Sequence, residues 1–465
     1  MNSRENWSGQ LGFILAAAAS AVGLGNLWRF PASAATYGGG IFLIAYLILF
    51  FGFGVFLLMT EIAIGRATKL SPVEAFRTLN RKWVIVGILG TLVPFGILPY
   101  YSVIGGWVTK YFAQYFFASL AETAADNPAN DAFFSGFTGD FGQAFFFCCA
   151  FAGACFAFIL MGVKKGIERS NKILMPALLI LTVGIALFTA LQPKAREGLK
   201  YFFIPDFNRL SVNGSFSPLL CAKTILAAMG QMFFSLSLAM GIMITYGSYL
   251  PRSANLPKAA LRIGICDTFV AFLAGVIVIP PAFAFGGEEL ARSAGPGLMF
   301  VSLPKVFAAM GKAGTFVGIL FFVTAIFATL TSCISVLESI AANCMEIFHS
   351  GRKKTVLVLA VIYLAASAII ALGYSVFYFE VQLPNGSAAQ LLDIMDYVSN
   401  SVMMPFIALL STILIGWVMT PDYVIDEMQR NGETFRRKKL YRVMIRYVAP
   451  VMMLVLFLQS TGILA

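Results

Sequence analysis

The chain has 465 residues, of which 59% are hydrophobic and only 12% charged, and its mean hydropathy is +0.83. A soluble domain is about a quarter charged, so the composition excludes a soluble enzyme and specifies a polytopic membrane protein. The net charge of +11 is no nucleic-acid footprint, because the basic residues cluster in short connections between apolar runs, as they do in loops beside anionic lipid.

In chain order, the first apolar run reads LGFILAAAASAVGLGNLWRFP, Leu11 to Pro31. Leu11 to Trp28 carries no charge and is long enough to span a bilayer. Its second half is poor helix: Ser20, Gly23 and Gly25 loosen it, and Asn26 and Arg29 add polar groups. Unpaired backbone groups in hydrocarbon cost several kcal/mol, so such a break survives only inside protein or beside a water-filled cavity. An interrupted span with a polar cluster marks a binding site. Ala19-Ser20-Ala21 imitates a signal-peptide cleavage site, but the apolar pattern continues past it, which favours a retained span.

Ten further spans are expected at about 41–65, 84–118, 143–162, 172–192, 219–250, 261–286, 315–345, 355–378, 397–420 and 445–464. Basic clusters at Arg66 to Lys82, Lys164 to Lys172, Arg252 to Arg262, Arg352 to Lys354 and Arg436 to Lys439 fall in alternate connections. They place the N-terminus in the cytoplasm, and an odd span count places the C-terminus outside. Lys194, Arg196 and Lys200 are exceptions on the opposite side. No soluble domain is expected within 1–465.

A second interruption lies in GQMFFSLSLAMGIMITYGSYL, Gly230 to Leu250, where Ser235 and Ser237 break the apolar pattern. Alone, such serines would bond back to their own helix. Together with the break near Gly23, the pattern places interruptions in the first and sixth spans, each opening a block of five. That is the signature of an inverted repeat with a midplane site. The expected division is one five-helix repeat at 11–192, a second at 219–420, and an added eleventh helix at 440–465. His349 is the one histidine, so a His-rich metal centre is excluded. Cys148, Cys149, Cys155, Cys221, Cys266, Cys333 and Cys344 lack metal-ligand spacing and read as buried thiols.

The run SAVGLGNLWRFP, Gly38-Gly39-Gly40, Glu61 to Arg66, Lys165-Gly166-Ile167-Glu168-Arg169, GQMFFSLSL and the run from Leu330 to Glu338 together resemble the neurotransmitter:sodium symporter family, across nearly the whole chain. The resemblance implies an all-α integral membrane fold of about eleven transmembrane helices, a five-plus-five inverted repeat with broken first and sixth helices. Many members have twelve helices, and the one lacking here lies outside that core.

By resemblance, a first sodium ion would bind Ala21, Asn26, Ser235 and Asp267, with the substrate carboxylate completing the set. Many members have Asn where Asp267 stands, and chloride-dependent members have a serine four residues on, where this chain has Ala271. Asp267 would thus supply the local negative charge and make chloride unnecessary; the structural alternative is an ion pair with Arg262. A second sodium ion would take Ala19, Val22, Ala328, Thr331 and Ser332. The substrate would meet Ala21, Gly23, Leu24, Gly25, Tyr101, Phe234, Ser235, Ser237 and Ser332, its side chain packing against Ile97, Tyr101, Phe234, Met240 and Val336. Monoamine carriers place an aspartate at the position of Gly23, so a glycine there implies a substrate that brings its own carboxylate: a neutral hydrophobic or aromatic L-amino acid. Arg29 and Asp396 would form the outer gate; Arg4, Trp7, Ser248, Tyr249 and Glu346 the inner one.

The expected activity is sodium-coupled symport by alternating access across a bacterial plasma membrane. An amino-acid sensor or a leak channel on the same fold stays open as an alternative. An enzyme is not expected, since no nucleophile–base pair or metal set stands out. Partners are the amino acid, sodium and lipid, with no nucleic acid; monomer and homodimer both remain open.

Overall fold

The computed structural model describes residues 6–118, 127–193, 195–212, 214–285, 296–384 and 386–464. Ten of its helices are long and apolar enough to cross a membrane, and a bent pair, Gln10–Ala21 with Gly25–Thr36, makes an eleventh. The others are Gly40–Thr68, Arg81–Phe117, Phe141–Leu160, Val163–Ala190, Pro218–Ser235, Leu256–Phe285, Lys312–Ile347, Arg352–Leu372, Leu391–Val418 and Lys438–Ser460. The expected spans are therefore all present. Lys165 to Arg169 is not a loop, however. It is helical and opens the fifth span, because Gly162, at φ 82°, makes the turn in one step.

The first span bends by 52°. Its first half ends at Ala21, Val22 is extended, and the second half begins at Gly25. The Asn26 side chain accepts the Gly23 N–H at 3.1 Å, satisfying a donor that the break releases. In the sixth span the helix continues through Ser235 and unwinds over Leu236 to Gly241, slightly later than the serine pattern implies, before Ile242–Ser248 resumes it. Ser237, Ala239 and Gly241 take φ values of 52°, 60° and 70°. Left-handed backbone costs a non-glycine residue about 1–2 kcal/mol, so Ser237 and Ala239 need support. Glu61 of the second span supplies part of it, accepting the Ala239 N–H at 2.6 Å.

Of the ten spans after the first, the second, seventh and eighth are the most buried, at 67%, 72% and 72% of their apolar windows. The span Lys312–Ile347 is 72% buried over its apolar window, against 22% for Lys438–Ser460; the eleventh helix is therefore peripheral. The second span and the resumed half of the sixth approach backbone to backbone: a side chain on Gly65 would collide with the Ile244 carbonyl. Small residues permit this close packing where lipid provides no hydrophobic drive between helices.

Candidate functional site

The two breaks face each other, and Asp267 of the seventh span lies between them. One carboxylate oxygen accepts the Asn26 amide at 2.7 Å, and the Ser235 hydroxyl stands 2.9 and 2.8 Å from the two oxygens. Asp267 is fully buried. Among the described residues it has no ion-pair partner, and Arg262 is exposed on the same helix, so the pairing with Arg262 is ruled out. A buried carboxylate surrounded by neutral donors is costly unless a cation joins it. Asn26, Ser235 and Asp267 thus come together, with Ala21 as the last residue of the first half-helix.

About Ser332 a second set of oxygens converges. Its hydroxyl lies 3.5, 3.1 and 3.3 Å from the carbonyls of Ala19, Ser20 and Val22. One helical step earlier, the Thr331 hydroxyl donates to the carbonyls of Phe327 and Ala328 at 2.9 and 3.2 Å. Three carbonyls from the broken first span therefore meet the Ser332 hydroxyl of the eighth, while the Thr331 hydroxyl bonds back to its own helix. The Ser20 carbonyl is an addition that the motif did not indicate.

Above these groups opens a cavity of about 570 Å³, lined by Leu24, Gly25, Arg29, Tyr101, Ile104, Phe234 and Asp396 among others. The Leu24 N–H points to the Tyr101 hydroxyl at 3.3 Å. A side-chain carbon on Gly23 would lie 2.8 Å from Ser332 Oγ and 2.9 Å from Tyr101 Oη, and one on Gly25 would collide with the Phe234 ring. The glycines are thus required by close approach from both sides. Ile97, Met240 and Val336 are buried and do not line the cavity. The Ser237 hydroxyl, expected near the substrate, donates to the Ser20 carbonyl at 3.3 Å.

The outer charge pair is not formed. Arg29 and Asp396 line the same cavity but make no ion pair; Arg29 stacks 4.9 Å from the Phe234 ring centroid. Asp396 accepts from the Tyr100 hydroxyl at 2.8 Å and the Asn400 amide at 2.6 Å, both on one oxygen, and so is held by neutral donors and not by the arginine. The opposite end is closed. Trp7 is buried, its indole N–H donates to the Tyr246 carbonyl at 3.0 Å, and its backbone N–H donates to the Tyr249 carbonyl. The Ser248 hydroxyl turns back to its own helix, onto the Thr245 carbonyl. Arg4 lies outside the described residues, and Glu346 accepts the Ser71 N–H at 2.9 Å.

Three charged groups were missed by sequence reasoning. Glu338 is fully buried, accepts from Tyr249 at 2.8 Å, and binds the Arg352 guanidinium at 2.6 and 3.0 Å. Glu168 accepts the Ser8 N–H at 2.9 Å and pairs with Lys172 at 2.7 Å, fastening the start of the first span. Glu61 supports the unwound sixth helix. A carboxylate inside an apolar run is signal enough to single out Glu61 and Glu338; Glu168 sits in a basic segment and carries no such mark.

A sequence model described as the sodium:neurotransmitter symporter family matches residues 4–135 and 137–464. The chain is 32% identical to the uncharacterized sodium-dependent transporter YhdH of Bacillus subtilis (strain 168), over 99% of this chain and 98% of that one. It is 31% identical to an uncharacterized sodium-dependent transporter of Haemophilus influenzae, over 98% of each chain. The crystal structure of MhsT in complex with L-phenylalanine superposes with a TM-score of 0.86 at 35% identity, covering 99% of this chain and 100% of MhsT. With two broken helices facing a buried carboxylate and matches over the full length, this chain belongs to the sodium:neurotransmitter symporter family and is a multi-pass, sodium-dependent transporter, not an enzyme.

Proposed function

We propose that the protein imports a neutral, hydrophobic or aromatic L-amino acid together with two sodium ions, without chloride, by alternating access. The observation that carries this reading is Gly23, which brings no carboxylate of its own to the site and where even one added side-chain carbon would press on Tyr101 and Ser332. The carboxylate must then arrive with the substrate, beside the Leu24 and Gly25 amides and the Tyr101 hydroxyl. L-Phenylalanine in MhsT is a ligand of this class and supports the reading.

The first sodium ion binds Ala21, Asn26, Ser235, Asp267 and the substrate carboxylate; the second binds Ala19, Val22, Ala328, Thr331 and Ser332. The ion and the amino acid share the first site, so each strengthens the binding of the other. Asp267 provides the negative charge that removes the need for chloride. The side-chain pocket is Ile97, Tyr101, Phe234, Met240 and Val336, which opens when the substrate enters beneath Phe234. Sodium and substrate draw Arg29 and Asp396 together across the cavity, and release of Trp7, Ser248, Tyr249 and Glu346 then opens the other end. Each inward sodium ion gains about 2.3 kcal/mol per 100 mV of membrane potential.

The repeats are 11–192 and 219–420, the N-terminus is cytoplasmic, the C-terminus is outside, and the membrane is a bacterial inner membrane. Uptake of a labelled amino-acid panel into proteoliposomes tests the whole reading. Hydrophobic L-amino acids should accumulate with an inward sodium gradient and persist without chloride. Accumulation without sodium, or binding without accumulation, overturns it.

A further inference from the structure

The connection between the fifth and sixth spans breaks the charge rule that the other basic loops obey, and the transport reading gives it no role. It contains the helix Ala195–Phe203 and a two-stranded hairpin, Ser211–Val212 with Ser215–Phe216. One face of the helix packs on protein: Ala195, Gly198, Tyr201 and Phe202 are buried, with Gly198 against Pro280 and Phe202 against Gly275. The other face presents Arg196, Lys200 and Phe203, spaced i, i+4 and i+7 and all exposed. Beyond it, Ile204, Phe207, Val212, Phe216 and Leu219 are 53–65% exposed, an unusual density of large apolar side chains for a water-facing loop. Lys223, on the first turns of the sixth span, is exposed beside them.

The charges are available. Arg209 is spent on the Tyr201 ring at 3.8 Å and on Asp206, whereas Arg196, Lys200 and Lys223 form no ion pair with another described residue. Glu197 is the one exposed acid on the helix. The stretch joins the ends of two membrane spans, Ala190 and Pro218, which keeps both of its ends close to the membrane surface. A second loop at the same end is an internal comparison. Val376, Phe377, Tyr378, Phe379 and Val381 are equally exposed, but from Tyr374 to Gln390 that loop has Glu380 and no lysine or arginine.

We infer that Arg196, Lys200 and Lys223, over the exposed apolar side chains around Phe216, form a binding surface for anionic phospholipid headgroups in the leaflet beside the cavity mouth. Apolar side chains seat the loop in the interface, and each base near the surface adds electrostatic attraction for anionic lipid. The surface is mechanically joined to the transport site. The Tyr201 hydroxyl donates to the Ala35 carbonyl, Gly39 pairs with Pro205, and the Thr224 hydroxyl donates to the Tyr37 carbonyl at 3.4 Å. Lipid held here braces the outer half of the broken first span, which carries Arg29.

The test uses full-length protein carrying Phe216→Trp in vesicles of phosphatidylcholine and phosphatidylglycerol, with one lipid at a time brominated near its headgroup. The parent's tryptophan signal is subtracted. At equal mole fraction, brominated phosphatidylglycerol should quench Trp fluorescence more than brominated phosphatidylcholine, reflecting local enrichment of roughly tenfold. Adding R196Q, K200Q and K223Q should remove the difference in a variant that thermal unfolding shows to be folded. Salt at 1 M should remove it without any variant, since the Debye length falls to about 3 Å. Equal quenching by the two lipids, absence of quenching by either, or a difference that survives both the substitutions and salt overturns the assignment.

Discussion

Asp267→Asn isolates the charge at the first ion site while leaving its shape intact. The asparagine oxygen can still accept from Asn26, now at 2.7 Å, and its amide can donate to Ser235, which stands within 2.9 Å. The fold should therefore survive. What disappears is a full negative charge in a site without a compensating base among the described residues. At about 4 Å and an effective dielectric of about 20, one unit charge attracts another by about 4 kcal/mol. That is close to a thousandfold in affinity, and the remaining amide dipole returns part of it, so apparent sodium affinity should fall by at least roughly thirtyfold. Sodium titration of amino-acid uptake in chloride-free vesicles measures it, with thermal unfolding as the check on folding. Chloride added to the variant should recover part of the loss. Sodium affinity within threefold of the parent, in a folded variant, would refute the assignment of Asp267 as an ion ligand.

Gly23→Ala places a carbon 2.8 Å from Ser332 and 2.9 Å from Tyr101. Overpacking of this kind costs about 1–3 kcal/mol, and a substrate titration of initial uptake rates should show KM raised at least about fivefold. For the outer gate, the double variant R29C/D396C should cross-link faster with a bifunctional thiol reagent when sodium and substrate are both present than with neither; equal rates would show that the cavity does not close there. Glu338→Gln breaks a buried bidentate pair with Arg352 and weakens the anchor of Tyr249. Removing one partner of such a pair costs about 3–5 kcal/mol; the unfolding temperature should drop, and a cysteine at Trp7 should label faster from the inner side. An unchanged unfolding temperature would mean that the pair is dispensable.

Much of the molecule was legible before any fold was built. Spans follow from uninterrupted apolar length, because the bilayer fixes how many residues a helix needs. The first break follows from glycines beside Asn26 and Arg29, since lipid does not tolerate such a segment. Asp267 entered through the family resemblance, and the cost of a carboxylate inside an apolar run favoured a functional role for it. Other features depend on contacts between residues far apart in the chain. Nothing local says that the sixth helix unwinds after Ser235 and not before it; the Glu61 carboxylate, 178 positions away, holds the Ala239 N–H that makes the left-handed turn possible. Nor does any motif say that Asp396 is held by Tyr100 and Asn400, leaving Arg29 apart from it in a structure open at one end. Composition and spacing determine which segments enter the membrane and which cannot remain helical there, because those are costs paid locally to the solvent. Which polar groups then satisfy one another is decided by packing, because each buried donor takes whatever acceptor the assembled helices bring within reach.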